Sequence, residues 1–191
     1  MIETEAKIKI TEEDAAAVRE KLGFLGAFAK PHVLHEINHV FAKPSRDRHP
    51  QDPTFRVRVH ADSGEGLLTI KDIPPLSERQ GNGSRLKKVE ELLNIDLTRA
   101  DLMVKALEEN GFRKTFTYTK TREDWNYRNL LINIDELPRI GFFVEIEGEE
   151  KGVLEMVVLL GLSERPRHVM SYPEIYQDFK ERGGEALWHP K

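Results

Sequence analysis

The chain has 191 residues, 32% of them charged, and a formal net charge of −4. Acidic and basic residues are nearly balanced, which argues against a nucleic-acid binder with a basic surface and against a membrane-surface protein. The lack of cysteine excludes disulfides, thiolate metal sites and cysteine nucleophiles. Because residues 1–20 carry no signal peptide and no apolar run approaches the roughly 20 residues of a membrane span, we expect a cytoplasmic protein.

The first predicted element is a strand over Ile2–Ile10. Charged residues occupy its odd positions and the even positions are mostly aliphatic, and a period of two is typical of a strand with two different faces. Thr11 and Asp14 have the spacing of a capping box, which predicts a helix directly afterwards. The apolar stripe of this helix ends near Gly23 or Gly26.

Further strands are indicated by the same alternation, with glycine- or proline-rich turns between them. They cover His32–Phe41, Phe55–His60, Leu67–Asp72, Arg85–Ile95, Phe112–Tyr127, Leu130–Glu136 and Phe142–Glu149, with long loops over 43–53 and 74–84. Helices are predicted from a Thr98 cap, with Asp101 at its third position, to Gly111, and over Glu150–Leu160 and Tyr172–Arg182. Eight short strands with interspersed helices predict an α+β protein: a closed eight-stranded antiparallel β-barrel with helices packed outside, in a single domain over 1–191.

One face of nearly every predicted strand is charged, and the charges are sorted by sign. Basic residues lie on the third, fourth and sixth strands, and paired carboxylates lie on the first and eighth. The ordinary interpretation is a sheet with one face in water. The helices must cover the apolar faces, however, and if they do so from outside, the charged faces turn inward as the sheet closes.

An inward lining of about a dozen charges cannot form a dry core, because an unpaired buried ion costs several kcal/mol. The lining therefore predicts a water-filled channel whose ligand suits both signs of charge. Basic side chains bind phosphate oxygens, and arginine does so with a fork of donors. Carboxylates bind hard cations such as Mg²⁺ or Mn²⁺. A triphosphate with a divalent metal fits this set of charges better than a monophosphate does.

At these residues the chain resembles the CYTH superfamily, also called triphosphate tunnel metalloenzymes. The family's N-terminal Glu-x-Glu-x-Lys is matched by residues 3–7, and its later motifs follow in the same order. They are an Arg-x-Arg strand at Arg56 and Arg58, a lysine strand at Lys71, a Lys-x-Arg strand at Lys120 and Arg122, an aspartate strand at Asp135 and a closing Glu-x-Glu at Glu145 and Glu147. The tail Ser171–Ile175 resembles the Ser-Tyr end of the class IV adenylyl cyclase-like branch.

The resemblance implies a role for each of these residues. The metal, Mg²⁺ or Mn²⁺, would be bound by Glu3, Glu5, Asp135, Glu145 and Glu147. The phosphates would be bound by Arg56, Arg58, Lys71, Lys120 and Arg122. Lys7 would contact phosphate or orient an attacking water, with Glu5 beside it in catalysis, and Glu90 would be a supporting carboxylate, with the adjacent Glu91 leaving that register open. Two ions about 4 Å apart would activate the nucleophile and stabilise the leaving oxygen.

Some features fall outside this pattern. The second strand, at Ile37–Phe41, lacks the aspartate and tyrosine that the family usually has there. Four histidines, His32, His35, His39 and His49, are spaced too irregularly to favour a zinc site. Gly81–Ser84 lacks the lysine and the strand–helix context of a phosphate-binding P-loop, and we predict an ordinary loop, from which Arg79 and Arg85 could still meet a substrate.

Three functions remain compatible with these residues. In a triphosphatase, water attacks the terminal phosphorus of inorganic triphosphate, a nucleotide or thiamine triphosphate. In a class IV adenylyl cyclase, the ribose 3′-hydroxyl of ATP attacks the α-phosphorus and pyrophosphate leaves. A non-catalytic sensor of polyphosphate or nucleotide is the third, although the two carboxylate pairs favour catalysis. The expected partner is a triphosphate-containing small molecule, not nucleic acid or a membrane, and the base rate of symmetric assemblies favours a homodimer.

Overall fold

The computed structural model describes residues 2–30, 32–42, 54–72 and 87–184. Within these ranges the strands are β1 (Ile2–Ile10), β2 (Phe28–Ala29), β3 (Leu34–Ala42), β4 (Thr54–His60), β5 (Gly66–Asp72), β6 (Lys87–Leu97), β7 (Arg113–Tyr127), β8 (Leu130–Leu137), β9 (Gly141–Gly148) and β10 (Arg167–His168). The helices are α1 (Glu12–Phe24), α2 (Ala100–Glu109), α3 (Glu150–Leu159) and α4 (Tyr172–Glu181). The two predicted long loops, together with His49, Arg79, Gly81–Ser84 and Arg85, lie outside the described residues.

The strands form one antiparallel sheet, which curls until β1 has partners on both of its edges. The order runs β1–β6–β5–β4–β3–β7–β8–β9, and β9 pairs with β1 again. On its other edge, β1 pairs first with β6 and then with the short strand β10. This architecture confirms the predicted α+β fold built on eight antiparallel strands. The two-residue strands β2 and β10, which the sequence did not predict, extend the edges of β7 and β1.

The starts of two helices show where local sequence decides structure. At α1 the Thr11 hydroxyl accepts a bond from the Asp14 amide at 3.1 Å, and the Asp14 carboxylate accepts one from the Thr11 amide at 2.9 Å. The predicted capping box is therefore confirmed. The predicted Thr98 cap is wrong, because the N-cap of α2 is Arg99. The Arg99 guanidinium binds both oxygens of Asp101, at 2.9 and 2.8 Å, and this carboxylate does not close a capping box.

Helices α1, α2 and α3 cover the outer apolar face of the barrel. The cluster under α1 and α3 contains Ala6, Ile8, Ile132, Ile134, Val144 and Ile146 from the strands and Val18, Leu22, Val153 and Met156 from the helices. A smaller cluster joins α2 to β4 and β5 through Val57, Leu68 and Ala100. In the ranges that the structure describes, no helix is long and apolar enough to cross a membrane.

Helix α4 packs against interior residues at one end of the barrel, which the sequence did not indicate. Its buried side chains, Tyr172, Ile175 and Tyr176, form one cluster with Tyr118, Leu137 and Phe143 of β7, β8 and β9. Further along each of these strands, the residues on the same face are charged. The helix therefore closes the apolar end of the interior, and the charged section lies beyond it.

Gly66, at the start of β5, lies very close to β4. An added Cβ would be 1.9 Å from the carbonyl oxygen of Arg58 and 2.9 Å from the Cβ of Ala100. We expect Gly66→Ala to lower the free energy of unfolding by about 2 kcal/mol or more, because backbone atoms must move to relieve the overlap. The matched control is Gly23→Ala in α1, where an added Cβ has no atom within 4 Å and should raise stability by roughly 0.5–1 kcal/mol. Equal effects in urea denaturation would contradict this reading of Gly66.

His39, on the outer face of β3, predicts a pH dependence of stability. Its Nδ1 lies 3.0 Å from the Thr117 hydroxyl. Burial, and then the charge of Lys114, lower the pKa of His39 from 6.5 to about 4. Between these values the unfolded chain binds a proton that the folded protein does not, and therefore stability falls as the pH drops from 6.5 towards 4. His39→Gln should make this fall shallower in urea titrations at several pH values, and parallel curves for the two proteins would refute it.

Candidate active site

Polar and charged side chains from six strands converge in the interior of the barrel. The described members are Glu5 and Lys7 on β1, Glu36 and Asn38 on β3, Arg56 and Arg58 on β4, Lys120 and Arg122 on β7, Asn133 and Asp135 on β8, and Glu145 and Glu147 on β9. Most of them are buried. A buried charge is tolerated only when it is paired or hydrogen-bonded, and the contacts of each group therefore decide what the site can do.

Lys7 lies at the centre of a first group of ion pairs. Its ammonium, 1% exposed, contacts Glu5 Oε1 at 2.7 Å and Glu145 Oε1 at 3.0 Å, and it donates to the Met170 carbonyl at 3.0 Å. Burial by itself lowers the pKa of Lys7, but the two carboxylates outweigh burial and the net pKa lies above its ordinary value. Lys7 is therefore a cation and a hydrogen-bond donor at neutral pH, and it does not serve as a base.

Asp135 organises a second group. Arg122 binds its two oxygens through Nε at 2.7 Å and Nη2 at 2.5 Å, a bidentate geometry that fixes the guanidinium plane. Lys120 Nζ lies 3.1 Å from the same carboxylate. Arg122 also binds Glu145, which connects this group to Lys7. Burial lowers the pKa of Arg122, but the carboxylates of Asp135 and Glu145 outweigh it and the net pKa is raised.

Glu36 on β3 connects the two strands beside it, β4 and β7. Its Oε2 lies 3.2 Å from Arg58 Nε and 3.6 Å from Lys120 Nζ, and it accepts a hydrogen bond from Asn38 Nδ2 at 3.2 Å. Burial raises the pKa of Glu36, but the cations outweigh burial and the net pKa is lowered. The side chain is therefore a carboxylate at neutral pH, although it is 1% exposed.

The two arginines of β4 keep donors that are not used within the described part of the chain. The Nε atoms of Arg56 and Arg58 are buried and have no hydrogen-bond partner there. The 3.2 Å contact between Arg58 and Glu36 is therefore an ion pair without the alignment of a directed bond. Arg56 is hydrogen-bonded to Tyr118. Both guanidinium groups are held in place while donors remain for a ligand.

Tyr172 brings α4 into the charged section of the interior. Its hydroxyl donates to Asp135 Oδ2 at 2.6 Å. The centre of its ring lies 4.6 Å from Lys7 Nζ and 5.0 Å from Lys120 Nζ, within reach of cation–π attraction to both. Burial and the neighbouring carboxylates raise the pKa of Tyr172 well above its ordinary value. The phenol therefore stays protonated and remains a donor to Asp135.

The structure brings most of the predicted site residues onto one interior face. They are Glu5, Lys7, Arg56, Arg58, Lys120, Arg122, Asp135, Glu145 and Glu147. The side chains of Glu3, Lys71 and Glu90 lie outside the described residues. In the backbone register, Glu90 pairs with Ile2 and Lys71 pairs with Glu91. The role of each of these residues stays a prediction.

Glu36, Asn38 and Tyr172 lie in the site although the sequence did not assign them to it. For Glu36 and Asn38 a signal was present, since both occupy one face of a strand whose other face carries Ile37 and Phe41. The absence of the family's aspartate from this strand obscured that signal. Tyr172 was noted only as part of the Ser-Tyr tail motif, and nothing in that motif placed it in the interior, because its position depends on how α4 docks against distant strands.

The carboxylates of β1 and β9 have the chemistry that a hard divalent cation requires. Glu5 and Glu147 lie opposite each other in the pairing of the two strands, next to the Lys7–Glu145 pair. Asn133 pairs with Glu145, and its buried Oδ1 has no hydrogen-bond partner among the described residues. Such oxygen donors suit Mg²⁺ and Mn²⁺. In the ranges described, no three such side chains converge on one point, and the ammonium of Lys7 lies between two of the carboxylates.

Residues 1–155 match the CYTH domain family. The chain belongs to this family. A curated relative, a putative adenylate cyclase of Methanocaldococcus jannaschii, is 26% identical over 148 residues, which are 77% of this chain and 77% of the relative. A solved putative adenylate cyclase of Vibrio parahaemolyticus has the same fold at 19% identity and a TM-score of 0.71, covering 93% of this chain and 98% of its own. A putative adenylyl cyclase of Hippeastrum has it at 16% identity and a TM-score of 0.69, covering 98% of each chain.

Two tyrosines of α4 give a matched test of the bond to Asp135. Tyr172→Phe removes a donor to a buried carboxylate, and we expect a loss of about 1.5–3 kcal/mol in the free energy of unfolding. The control is Tyr176→Phe, whose hydroxyl donates to the Thr119 carbonyl at 2.9 Å and should contribute only about 0.5–1.5 kcal/mol. If urea denaturation gives Tyr172→Phe no larger a loss than Tyr176→Phe, the hydrogen bond to the Asp135 carboxylate stabilises the fold no more than one to a neutral carbonyl does.

Proposed function

We propose that this CYTH protein is a divalent-metal-dependent phosphohydrolase that releases phosphate from inorganic, nucleoside or thiamine triphosphate held inside the barrel. The observation that carries the proposal is the convergence of cations from three strands on one interior face. These are Lys7, Arg56, Arg58, Lys120 and Arg122. Arginine forks and ammonium groups are the side chains that bind phosphate oxygens.

The balance of charge in the described lining is the reason to expect a metal with the triphosphate. The cations named above are matched by as many carboxylates: Glu5, Glu36, Asp135, Glu145 and Glu147. The further interior carboxylate, Asp124, is paired with Lys30. A bare triphosphate would add several uncompensated negative charges to a site of low dielectric. If a divalent cation accompanied it, the carboxylates would hold the metal and the basic side chains would bind the phosphates. Binding then becomes an exchange of partners rather than a gain of unpaired charge.

Glu5, Glu145 and Glu147 are the residues that would hold Mg²⁺ or Mn²⁺, with Asp135 and Glu3 as the further predicted ligands. A bound divalent ion would neutralise phosphate charge and polarise phosphoryl oxygens. Glu5 and Glu145 are each paired with the ammonium of Lys7, at 2.7 and 3.0 Å. The carboxylates would therefore have to move away from Lys7 as they take up the ion.

The residues of the chain itself would position the reacting groups. Lys7, an ammonium ion at neutral pH, would donate a hydrogen bond to the terminal phosphate or to the attacking water. Glu5, its neighbour on β1, would act with it in catalysis as a ligand of the metal. Arg58 and Arg122 neutralise the phosphate oxygens. Phosphoryl transfer depends mainly on positioning and on charge stabilisation, both of which such a lining supplies.

A class IV adenylyl cyclase is the second candidate, and the relatives favour it by name. The Methanocaldococcus jannaschii protein is called a putative adenylate cyclase. The Hippeastrum protein is called a putative adenylyl cyclase but is described as having a dominant triphosphatase activity, which supports hydrolysis as the first choice here. A non-catalytic binder of polyphosphate or nucleotide is the third candidate. None of these three candidate functions depends on whether the protein forms the predicted homodimer.

The products of turnover distinguish these functions. The protein is incubated with Mg²⁺ or Mn²⁺ and, separately, with inorganic triphosphate, ATP and thiamine triphosphate. We expect orthophosphate from at least one of them, and loss of turnover when EDTA removes the metal. If ATP instead gave cyclic AMP and pyrophosphate, the protein would be an adenylyl cyclase and the phosphohydrolase proposal would be wrong. Tight binding without any product would leave only the sensor.

Glu145→Gln tests the predicted metal ligands. The substitution keeps the shape of the side chain but removes its charge, and we expect turnover to fall on the order of a hundredfold or more, since a bound metal supplies several kcal/mol of charge stabilisation. Glu109→Gln, at an exposed position of α2, is the control and should keep full turnover. Circular dichroism checks that the variants fold. Unchanged turnover in folded Glu145→Gln would remove Glu145 from the site.

A further inference from the structure

Among the described interior carboxylates, Glu36 and Asp124 belong neither to the family motifs nor to the predicted metal ligands. Asp124 is paired with Lys30 at 2.8 Å, whereas Glu36 contacts predicted phosphate-binding residues. It is fully buried on β3, the strand between β4 and β7. One of its oxygens contacts Arg58 at 3.2 Å on one side and Lys120 at 3.6 Å on the other. The side chain therefore ties together two predicted phosphate-binding residues from different strands.

The pairing register explains why this carboxylate is unusual. Glu36 lies opposite Lys120, and Asn38 lies opposite Arg58. A neutral amide thus occupies the position that faces Arg58 directly, and the negative charge comes from two residues earlier on the same face. Asn38 donates to Glu36 at 3.2 Å, which fixes the carboxylate from the strand itself.

Glu36 lies apart from the carboxylates of β1 and β9, although Lys120 connects it to Asp135. Strands β7 and β8 separate β3 from β9, which carries Glu145 and Glu147. Within the described part of the chain, Glu36 forms ion pairs with Arg58 and Lys120, and both of these cations are predicted to meet phosphate. The geometry therefore favours a role on the phosphate side of the site.

We propose that Glu36 is a positioning residue, which holds the guanidinium of Arg58 and the ammonium of Lys120 at the spacing that receives the triphosphate. The inference rests on the proposed function for the identity of the ligand. Its mechanism is electrostatic: without Glu36, the cations of β4 and β7 repel one another and move apart. The guanidinium of Arg58 would then keep its charge but would no longer be held in the position that receives the phosphate.

A binding cycle tests this role without requiring turnover. Inorganic triphosphate with Mg²⁺ is titrated calorimetrically into the wild type, Glu36→Gln, Arg58→Ala and the double variant. We expect Arg58→Ala to weaken binding about tenfold in the wild-type background and less than about threefold in Glu36→Gln, because neighbouring groups of one network couple. Additive effects on the dissociation constant would overturn the proposal, since a merely structural Glu36 leaves the contribution of Arg58 unchanged.

A relocated carboxylate provides the rescue. In Glu36→Gln/Asn38→Asp the negative charge stands directly opposite Arg58, and the Arg58→Ala effect should return to about tenfold in that background. If it stays small, Glu36 does not act by holding Arg58. Should Glu36→Gln lose its cooperative urea transition, Glu36→Asp replaces it, which keeps the charge and shortens its reach by one methylene. A full Arg58 effect in Glu36→Asp, equal to that of the wild type, would also overturn the proposal.

The outcomes separate this inference from the function on which it rests. Binding with a coupled cycle but no product from any triphosphate would refute the phosphohydrolase and support the role of Glu36. Hydrolysis with an additive cycle would support the phosphohydrolase and refute the role of Glu36. No binding of triphosphate by the wild type would refute both.

Discussion

A charge placed inside this barrel must meet an opposite charge there, and the architecture follows from that requirement. The ammonium of Lys7 is held between Glu5 and Glu145, and leaving it unpaired would cost several kcal/mol. Strand β1 is therefore stable in its place only with β9 beside it. Arg122 extends the network, because it touches both Asp135 and Glu145. One continuous set of ion pairs thus joins β1, β7, β8 and β9, and the apolar clusters outside the barrel hold the same strands from the other face.

The same network prepares the interior for an anionic ligand. Side chains that are already ordered by their partners lose little conformational freedom when a ligand replaces those partners, and charges fixed in advance need no reorganisation during a reaction. Helix α4 adds to this order from the end of the chain. Tyr172 brings its ring close to two ammonium groups and its hydroxyl to Asp135, and α4 thereby becomes part of the lining rather than a cover over it.

Alternation along single strands predicted the most, because the period of two is fixed by backbone geometry and needs no tertiary information. It identified the charged faces of β1, β4 and β9, and the family motifs on those faces identified the fold. Features that depend on competing partners were less predictable. The Thr98 cap failed because α2 begins after Arg99 instead, so that Asp101 no longer stands at the third helical position. Asp14 is also bound by an arginine, Arg165, and it still keeps its capping bond. Glu36 was overlooked because its partners, Arg58 and Lys120, are distant in sequence, and Tyr172 because a docking helix leaves no periodic trace of what it touches.

The charged face of β1 also has a consequence for the synthesis of the protein. Lys7 donates to the carbonyl of Met170, 163 residues further along the chain, and β9 is made long after β1. During translation β1 is therefore synthesised before its partner strand and stays unpaired. Contacts so far apart in sequence also form slowly. The glutamates and lysines of β1 keep the unpaired strand hydrated, and charges along an unpaired edge oppose pairing with other chains. The residues that line the finished interior thus protect the nascent chain from aggregation before the barrel closes.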